Sequence, residues 1–534
     1  HMHQPPYEDP KTRQFLLPWT YLHATKDYYD MALMLQRHPG MRANVNFTPS
    51  LLLQLSQYAS GEVKDQTIEV MRKDPAKLSR MNREFLVRTC FGVNVETMID
   101  KFPRFKELFR FYGAARTPQE AAERLEPAEY LDLEVLFLLS WCGPYLSAQE
   151  PAASLIKKGR GFTAEERDAL LDAGLAHIGR IVPLWSELDR EGRVEMSFSP
   201  FYHPLLPLVH SNACAIEANH AVNLPDVRFG EPSEVDAQIT LGIEYFEKTF
   251  GRKPVGMWPP EGAISDAVVH AAAAKGLRWI ATDQEILRRS IGGEVSLEER
   301  LVPHEHEGVS IFFRDRVLSD QIGFVYSRWP TGAAVDNFMA TLRDYADRMT
   351  DDHGIVIVAM DGENAWEYYP EGGYSFLDAL YSAIEKSDFV VPTTFSEYLA
   401  QHGSGDGLDQ VSTGSWIDGD LTTWIGDPVK NRAWSYLAAA FQVHRDMPST
   451  ARPKVCDDDA QALHALLMRA EASDWFWWFG EGHSSIHERE FDYLFRQNLR
   501  MIYEKIGVPV PDYLDHPVDT EHTNLTVSDP SSYI

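Results

Sequence analysis

Two short stretches of this 534-residue chain set carboxylates where a buried strand would end. In "GMWPPEGAIS", residues 256–265, an apolar run passes into Trp-Pro-Pro-Glu. The two prolines fix the backbone just ahead of Glu261, and Trp258 supplies an apolar wall. In "GIVIVAMDGENAWEYYPEGG", residues 354–373, a second apolar run delivers Asp361 and Glu363 to its end. Side chains two apart on an extended chain point the same way, so both acids would share one face. Each stretch alone has a plainer role. Glu261 suits a helix N-terminus, and Asp361 suits a turn in which it bonds backbone amides while Gly362 bends the chain. Together they supply what cleavage of a glycosidic bond needs: one ionised carboxylate and one protonated carboxyl, facing each other across the bond.

Histidines mark two further places. The opening "HMHQPPY" puts His1 and His3 two residues apart, able to face one way from an extended segment. Such pairs raise the question of a zinc or iron site, although His1-Met2 also matches the remnant of a cloning site. In "RVEMSFSPFYHPLLPLV", residues 193–209, Glu195 can point into a barrel and His203 falls where a strand opens on a pocket. A histidine beside aromatics is more often packed than functional. No phosphate-cradling glycine loop and no G-x-S-x-G elbow competes with the acid pair.

The elements that must position these residues are short apolar runs, each followed by a helical pattern: 42–48, 193–200, 254–261, 278–283, 310–315 and 354–364. Strands alternating with helices predict a parallel α/β sheet with its ligand site at the strands' carboxyl ends. A helix-rich stretch of about residues 60–185 is too long for a crossover and reads as an insertion covering one side of the site. The Gly/Ser-rich "HGSGDGLDQVSTGS", residues 402–415, separates a catalytic region, 1–404, from a helical domain, 405–515, with 516–534 as a tail or linker.

Composition narrows the partners. Seventy-nine acidic against 50 basic residues give a net charge of −29, which opposes nucleic acid and anionic lipid. A neutral partner fits better, and 13 Trp, 22 Tyr and 27 Phe leave aromatic surface for sugar rings, even with most of it spent on cores. Cys90, Cys142, Cys214 and Cys456 lack metal or redox spacing and are expected as buried free thiols. No apolar run approaches the roughly 20 residues of a membrane span. The expectation is a cytoplasmic protein, unless an upstream signal has been trimmed.

The sequence of motifs "HMHQPPY", "VEMSFSPFYHPLLPL", "GMWPPE", "AMDGENAWEYYPEGG" and "SWIDGDLTTWIGDPVKNRAW" resembles glycoside hydrolase family 57 over most of residues 1–510. The resemblance implies an incomplete seven-stranded (β/α) barrel, a C-terminal helical domain completing the cleft, and retaining action on α-glucans without metal or cofactor. It makes Glu261 the nucleophile and Asp361 the general acid/base. His3, Glu195 and His203 would line the subsite of the sugar under attack, with His1, Gln4 and Glu363 also binding substrate. Tyr7, Trp258, Trp366, Trp416 and Trp424 would stack on glucose rings, while Trp475, Trp477 and Trp478 suit the helical core. The strand that precedes the family's first motif would lie upstream of His1 or be supplied differently. Within the family, "MDGENAWEYYPEGG" and "SDWFWWFGEGHSS" look like the amylase and amylopullulanase group, with α-1,4 and α-1,6 linkages as targets.

The expected mechanism is double displacement, with carboxyl groups about 5–5.5 Å apart and Asp361 raised by burial or by the charge of Glu261. Three alternatives stand beside it: a 4-α-glucanotransferase or branching transglycosylase on the same site, a metal-dependent hydrolase using His1 and His3, and a glucan-binding protein without catalysis.

Overall fold

The computed structural model describes residues 1–114, 117–350, 353–447 and 458–519. Its centre is a six-stranded sheet: β1 (Ala43–Phe47), β2 (Val194–Phe198), β3 (Gly256–Met257), β4 (Trp279–Asp283), β5 (His304–His306) and β6 (Val309–Arg314), in the order β1-β2-β3-β4-β6-β5. Every residue of β2, β4 and β6 is buried. Strands covered on both faces are buried along their whole length in this way.

Three strand expectations change. The sheet is mixed, because β5 folds back antiparallel on the start of β6. The two-residue turn between them, Glu307-Gly308, takes positive φ at both positions, which matches the twist of a tight hairpin. β3 shrinks to two residues, since Pro259 and Pro260 have no N–H to give and the chain turns into a short 3-10 helix, Pro260–Gly262.

Residues 354–364 form no ladder either. The segment is extended but makes single bonds: Ile355 N–H to Leu301 O, 2.7 Å, and Asp315 N–H to Ile357 O, 2.7 Å. By Glu363 the backbone has turned helical, φ −104° and ψ −52°, so Asp361 and Glu363 do not share one extended face. Gly362 makes that turn possible. Its N–H reaches His1 O at 2.6 Å, and a Cβ there would meet Met2 Cγ at 2.8 Å.

Residues 1–3 are woven into the fold. Met2 N–H bonds Asn46 O at 2.8 Å, Thr48 N–H bonds Met2 O at 3.0 Å, and the Met2 side chain is buried. On the other side the amino nitrogen of His1 donates to Met360 O, 3.0 Å. The opening peptide thus lies between β1 and the 354–361 segment.

Helices supply the rest. Between β1 and β2 a series of them runs from Pro49–Ser60 to Ile181–Arg190. One, Ala164–Ile178, opens with a Thr163/Glu166 capping box, which satisfies its free backbone donors. Its Arg167 meets Glu134 of Pro127–Ser140 at 3.0 Å, both fully buried. Beyond the sheet lie Pro428–Asp446, Asp458–Ala470, Ser473–Trp478 and Glu488–Ile506, with Trp424, Trp434 and Trp475 in their core. Val518 N–H still bonds Asp492, 2.7 Å, so the stretch expected as a tail is held through that residue. Residues 520–534 lie outside the described residues, as does Cys456. Cys90 and Cys142 are buried thiols, and Cys214 is partly buried. Among the described residues no helix is long and apolar enough to cross a membrane.

Candidate active site

The carboxyl ends of the parallel strands bring together residues far apart in sequence. Glu261 follows β3 and sits in the left-handed region, φ 59° and ψ 22°. His203, after β2, does the same at φ 57°. Bulky residues avoid this conformation, and its cost of about 1–3 kcal/mol is tolerated where surrounding structure enforces it, commonly at functional sites. At Glu261 the enforcement is visible. Pro259 and Pro260 set the approach, Trp416 N–H bonds Glu261 O at 3.0 Å, and Trp416 Nε1–H bonds its Oε2 at 3.0 Å.

Asp361 stands at the end of the 354–361 segment, where Asn364 Nδ2 donates to it, 2.9 Å. Both acids are half-buried, whereas Glu363 beside them is buried and held by Tyr28 OH, 2.6 Å, and His3 N–H, 2.9 Å. Trp258 packs edge-on to Trp416 with ring centres 5.0 Å apart, and the Arg314 guanidinium lies over the Trp416 ring at 5.1 Å. Under them Trp279, Phe312 and Ile357 form an apolar plug.

The three histidines form a stack. His3 and His203 lie face to face with centres 3.7 Å apart, and His1 is 5.1 Å from His203. Each Nδ1 is taken by a neighbouring oxygen: Asn46 Oδ1 for His1, 2.7 Å; Thr48 Oγ1 for His3, 3.2 Å; Ser473 Oγ for His203, 2.9 Å. Nε2 of His1 meets Nε2 of His203 at 3.1 Å, and His3 Nε2 meets Asp474 Oδ1 at 2.8 Å. The other oxygen of Asp474 and the indole nitrogen of Trp258 are buried without partners. An acceptor and a donor therefore stand ready for the hydroxyls of a ligand.

Electrostatics follow from this crowding of acids. Burial pushes Glu261 up to about 8, the charge of Asp361 adds to the effect, and the Trp416 hydrogen bond opposes it. Burial raises Asp361 as well, against the His1 amine, the Asn364 bond, His3 and Arg314. Glu363 is pushed up to about 8, again chiefly by burial. Burial and the neighbouring His3 hold His203 well below the usual histidine range, so it is neutral. Burial raises both acids, so the pair holds one proton between them near neutrality.

Among the described residues, His3, His203 and Asp474 form one group with metal-compatible spacing, their ligand atoms all within 4.8 Å. The stack argues against an ion between the rings. Imidazoles bind metals through in-plane lone pairs, and two parallel rings 3.7 Å apart point theirs side by side rather than at one centre.

Other expected residues fall elsewhere. Glu195 is at the start of β2, opposite the acids, and its carboxylate is used up by Asn44, Trp279 and Ser396. Trp424 is in the helical core, where its carbonyl accepts from Trp434. Tyr7 and Gln4 are buried and bond each other, 2.9 Å, one layer behind the histidines. Trp366 donates to Gly362 O, 2.9 Å, and lines a different cavity. Tyr28, Asn46, Ser473 and Asp474 join the site without a sequence signal that singled them out.

Comparison with known proteins converges on one group. A family model described as glycosyl hydrolase family 57 matches residues 1–407. A 1,4-alpha-glucan branching enzyme of Thermococcus kodakarensis is 22% identical over 411 residues, 62% of this chain. The match spans 57% of that relative's own length. The crystal structure of that same branching enzyme aligns with a TM-score of 0.61 at 16% identity, over 95% of this chain and 88% of the other. The alpha-amylase AmyC from Thermotoga maritima aligns with a TM-score of 0.58 at 14% identity, covering 95% and 92%.

Proposed function

Since the chain belongs to glycosyl hydrolase family 57, we propose that it is a retaining glycoside hydrolase that acts on α-glucans through a covalent glycosyl-enzyme. The observation that carries this is the acid pair. Glu261 arrives from the end of β3 and Asp361 from the extended 354–361 segment, both half-buried, and the charge of Asp361 raises the pKa of Glu261. Two carboxyl groups so coupled keep one proton between them near neutrality.

Glu261 attacks the anomeric carbon and Asp361 protonates the departing oxygen, then removes a proton from water in the second step. Attack requires the proton that the pair shares to stand on Asp361. The bare buried oxygen of Asp474 and the indole N–H of Trp258 would bind hydroxyls of the sugar at the reaction centre, beside the neutral His203.

An incomplete seven-stranded (β/α) barrel accounts for this geometry. The five parallel strands β1, β2, β3, β4 and β6 would be joined by residues 1–3 and 354–361, whose backbone bonds link β1 to the end of β6. Residues 1–404 would form this catalytic unit, with the helical insertion about 60–185, and 405–515 the helical domain whose Asp474 reaches the cleft.

A second reading, transfer of the glucosyl group to another glucan instead of water, is favoured by the branching enzyme that is similar to this chain in both sequence and structure. One assay separates them. Purified protein incubated with maltotetraose, amylose and pullulan gives shorter sugars alone if water is the acceptor, and longer or branched products if a glucan is. Glu261→Gln should abolish either activity while glucan binding persists; retained turnover would reject the assignment.

A further inference from the structure

Trp366, the aromatic residue that follows the acid motif, leads to a second cavity. The space measures about 220 Å³ and lies between the 366–374 segment and helices of the insertion. Its floor is buried, with Ser140 and Cys142, while Lys101 stands exposed at its mouth. Neither Glu261, Asp361 nor any of the three histidines borders it. A recess of about 20 Å³, room for one small polar group, adjoins it behind Trp366 and Tyr374.

That recess holds an unmet demand. Asp30 borders it with 8% exposure; its Oδ1 accepts from Tyr145 N–H, 3.0 Å, while its Oδ2 is buried with no partner. A buried acceptor left bare costs about 1–3 kcal/mol unless a donor reaches it. The walls carry both charges: Lys26, which pairs with Asp27 at 2.7 Å; Lys101, which makes no ion pair among the described residues; and Glu367, raised by burial. An anion would meet Glu367 and Asp30, and a cation would meet the two lysines. A neutral polyol can donate to the acids, accept from the ammonium groups and rest an apolar face on aromatic rings.

We infer that this cavity is a second, non-catalytic glucan site that takes one hexose unit, its apolar side against Trp366 and Tyr374 and a hydroxyl donated to Asp30. The inference rests on the reading of the protein as α-glucan-active, and it gives the cavity a hold on the chain separate from the acid pair. The volume is below the roughly 300–1,000 Å³ of a site for a drug-sized ligand, so a single ring enters and the remainder of the glucan trails past Lys101.

The test is calorimetric titration of the full chain with maltotriose, on Glu261→Gln to prevent turnover. Two sites per chain are expected. Ser147→Trp and Lys101→Trp, each placing a large ring at the cavity, should each reduce the count to one, with thermal midpoint and turnover of the corresponding Glu261-bearing chains unchanged. One site in the parent, unaltered in both tryptophan variants, would overturn the cavity and leave the cleft reading standing. No maltotriose bound at all would overturn both.

Discussion

Replacing Trp416 with Phe removes one hydrogen bond and little else. Phe keeps a ring against Trp258, the backbone bond from residue 416 to Glu261 O stays, and only the indole N–H on Oε2 is lost. A hydrogen bond to a charged acceptor is worth about 1.5–3 kcal/mol. At 1.36 kcal/mol per pH unit, its loss raises the proton affinity of Glu261 by about one to two pH units. Two consequences follow with opposite signs. The upper proton of the acid pair leaves near pH 8, and above that both groups are ionised and no acid remains. In Trp416→Phe this basic limb of the pH–rate profile should therefore move up by about one to two pH units. The reactive form, Glu261 ionised and Asp361 protonated, becomes rarer by up to roughly ten- to a hundredfold, so kcat should fall by as much as that factor. Initial rates on a maltooligosaccharide from pH 4 to 10 read both. A lower kcat with the basic limb still near pH 8 would refute the reasoning, because a merely loosened site loses rate without moving a proton.

Other substitutions test the remaining assignments. Glu195→Ala strands the indole of Trp279 and the amide of Ser396; it should lower stability by about 2–4 kcal/mol in chemical denaturation, with KM for maltooligosaccharides unchanged. Arg167→Ala leaves the buried Glu134, which burial already pushes up to about 8, without its partner in the insertion and should cost about 1–3 kcal/mol, read as a drop in the denaturation midpoint. Asp474→Asn keeps one oxygen for His3 but puts an NH2 donor where the bare oxygen stands; KM should rise and kcat fall roughly tenfold or more, while the thermal midpoint holds. Chelation by EDTA should leave the rate unaltered, given the parallel stacking of His3 on His203.

How much of this the amino acids disclosed depends on the range of the interaction. Glu261 was legible because two prolines and a short apolar run mark a strand end locally. Asp361 was legible for the same reason, but its register with Glu363 was not. Hydrophobic pattern shows an apolar run without showing whether it joins a ladder, and the turn at Gly362 depends on Met2 packing against it. Glu195 shows a second limit. Alternation along β2 tells which way a side chain points, not how deep along the strand it lies, and Glu195 faces inward at the wrong end. Asp474 lies in a family-like motif that gives it no role, and Tyr28 in no motif at all, since their partners His3 and Glu363 lie 471 and 335 residues away. Trp424 and Trp366 were taken for cleft residues on aromaticity alone, yet one fills the helical core and the other borders a separate cavity.

The claim on which the account turns is that Glu261 attacks the sugar directly while Asp361 serves first as acid and then as base. Proton NMR of the first product formed from a maltooligosaccharide, recorded before mutarotation, tests it without any mutation. Two displacements preserve configuration, so the account predicts the α-anomer at the new reducing end. The β-anomer appearing first would mean that water attacks in one step, and Glu261 would not be a nucleophile.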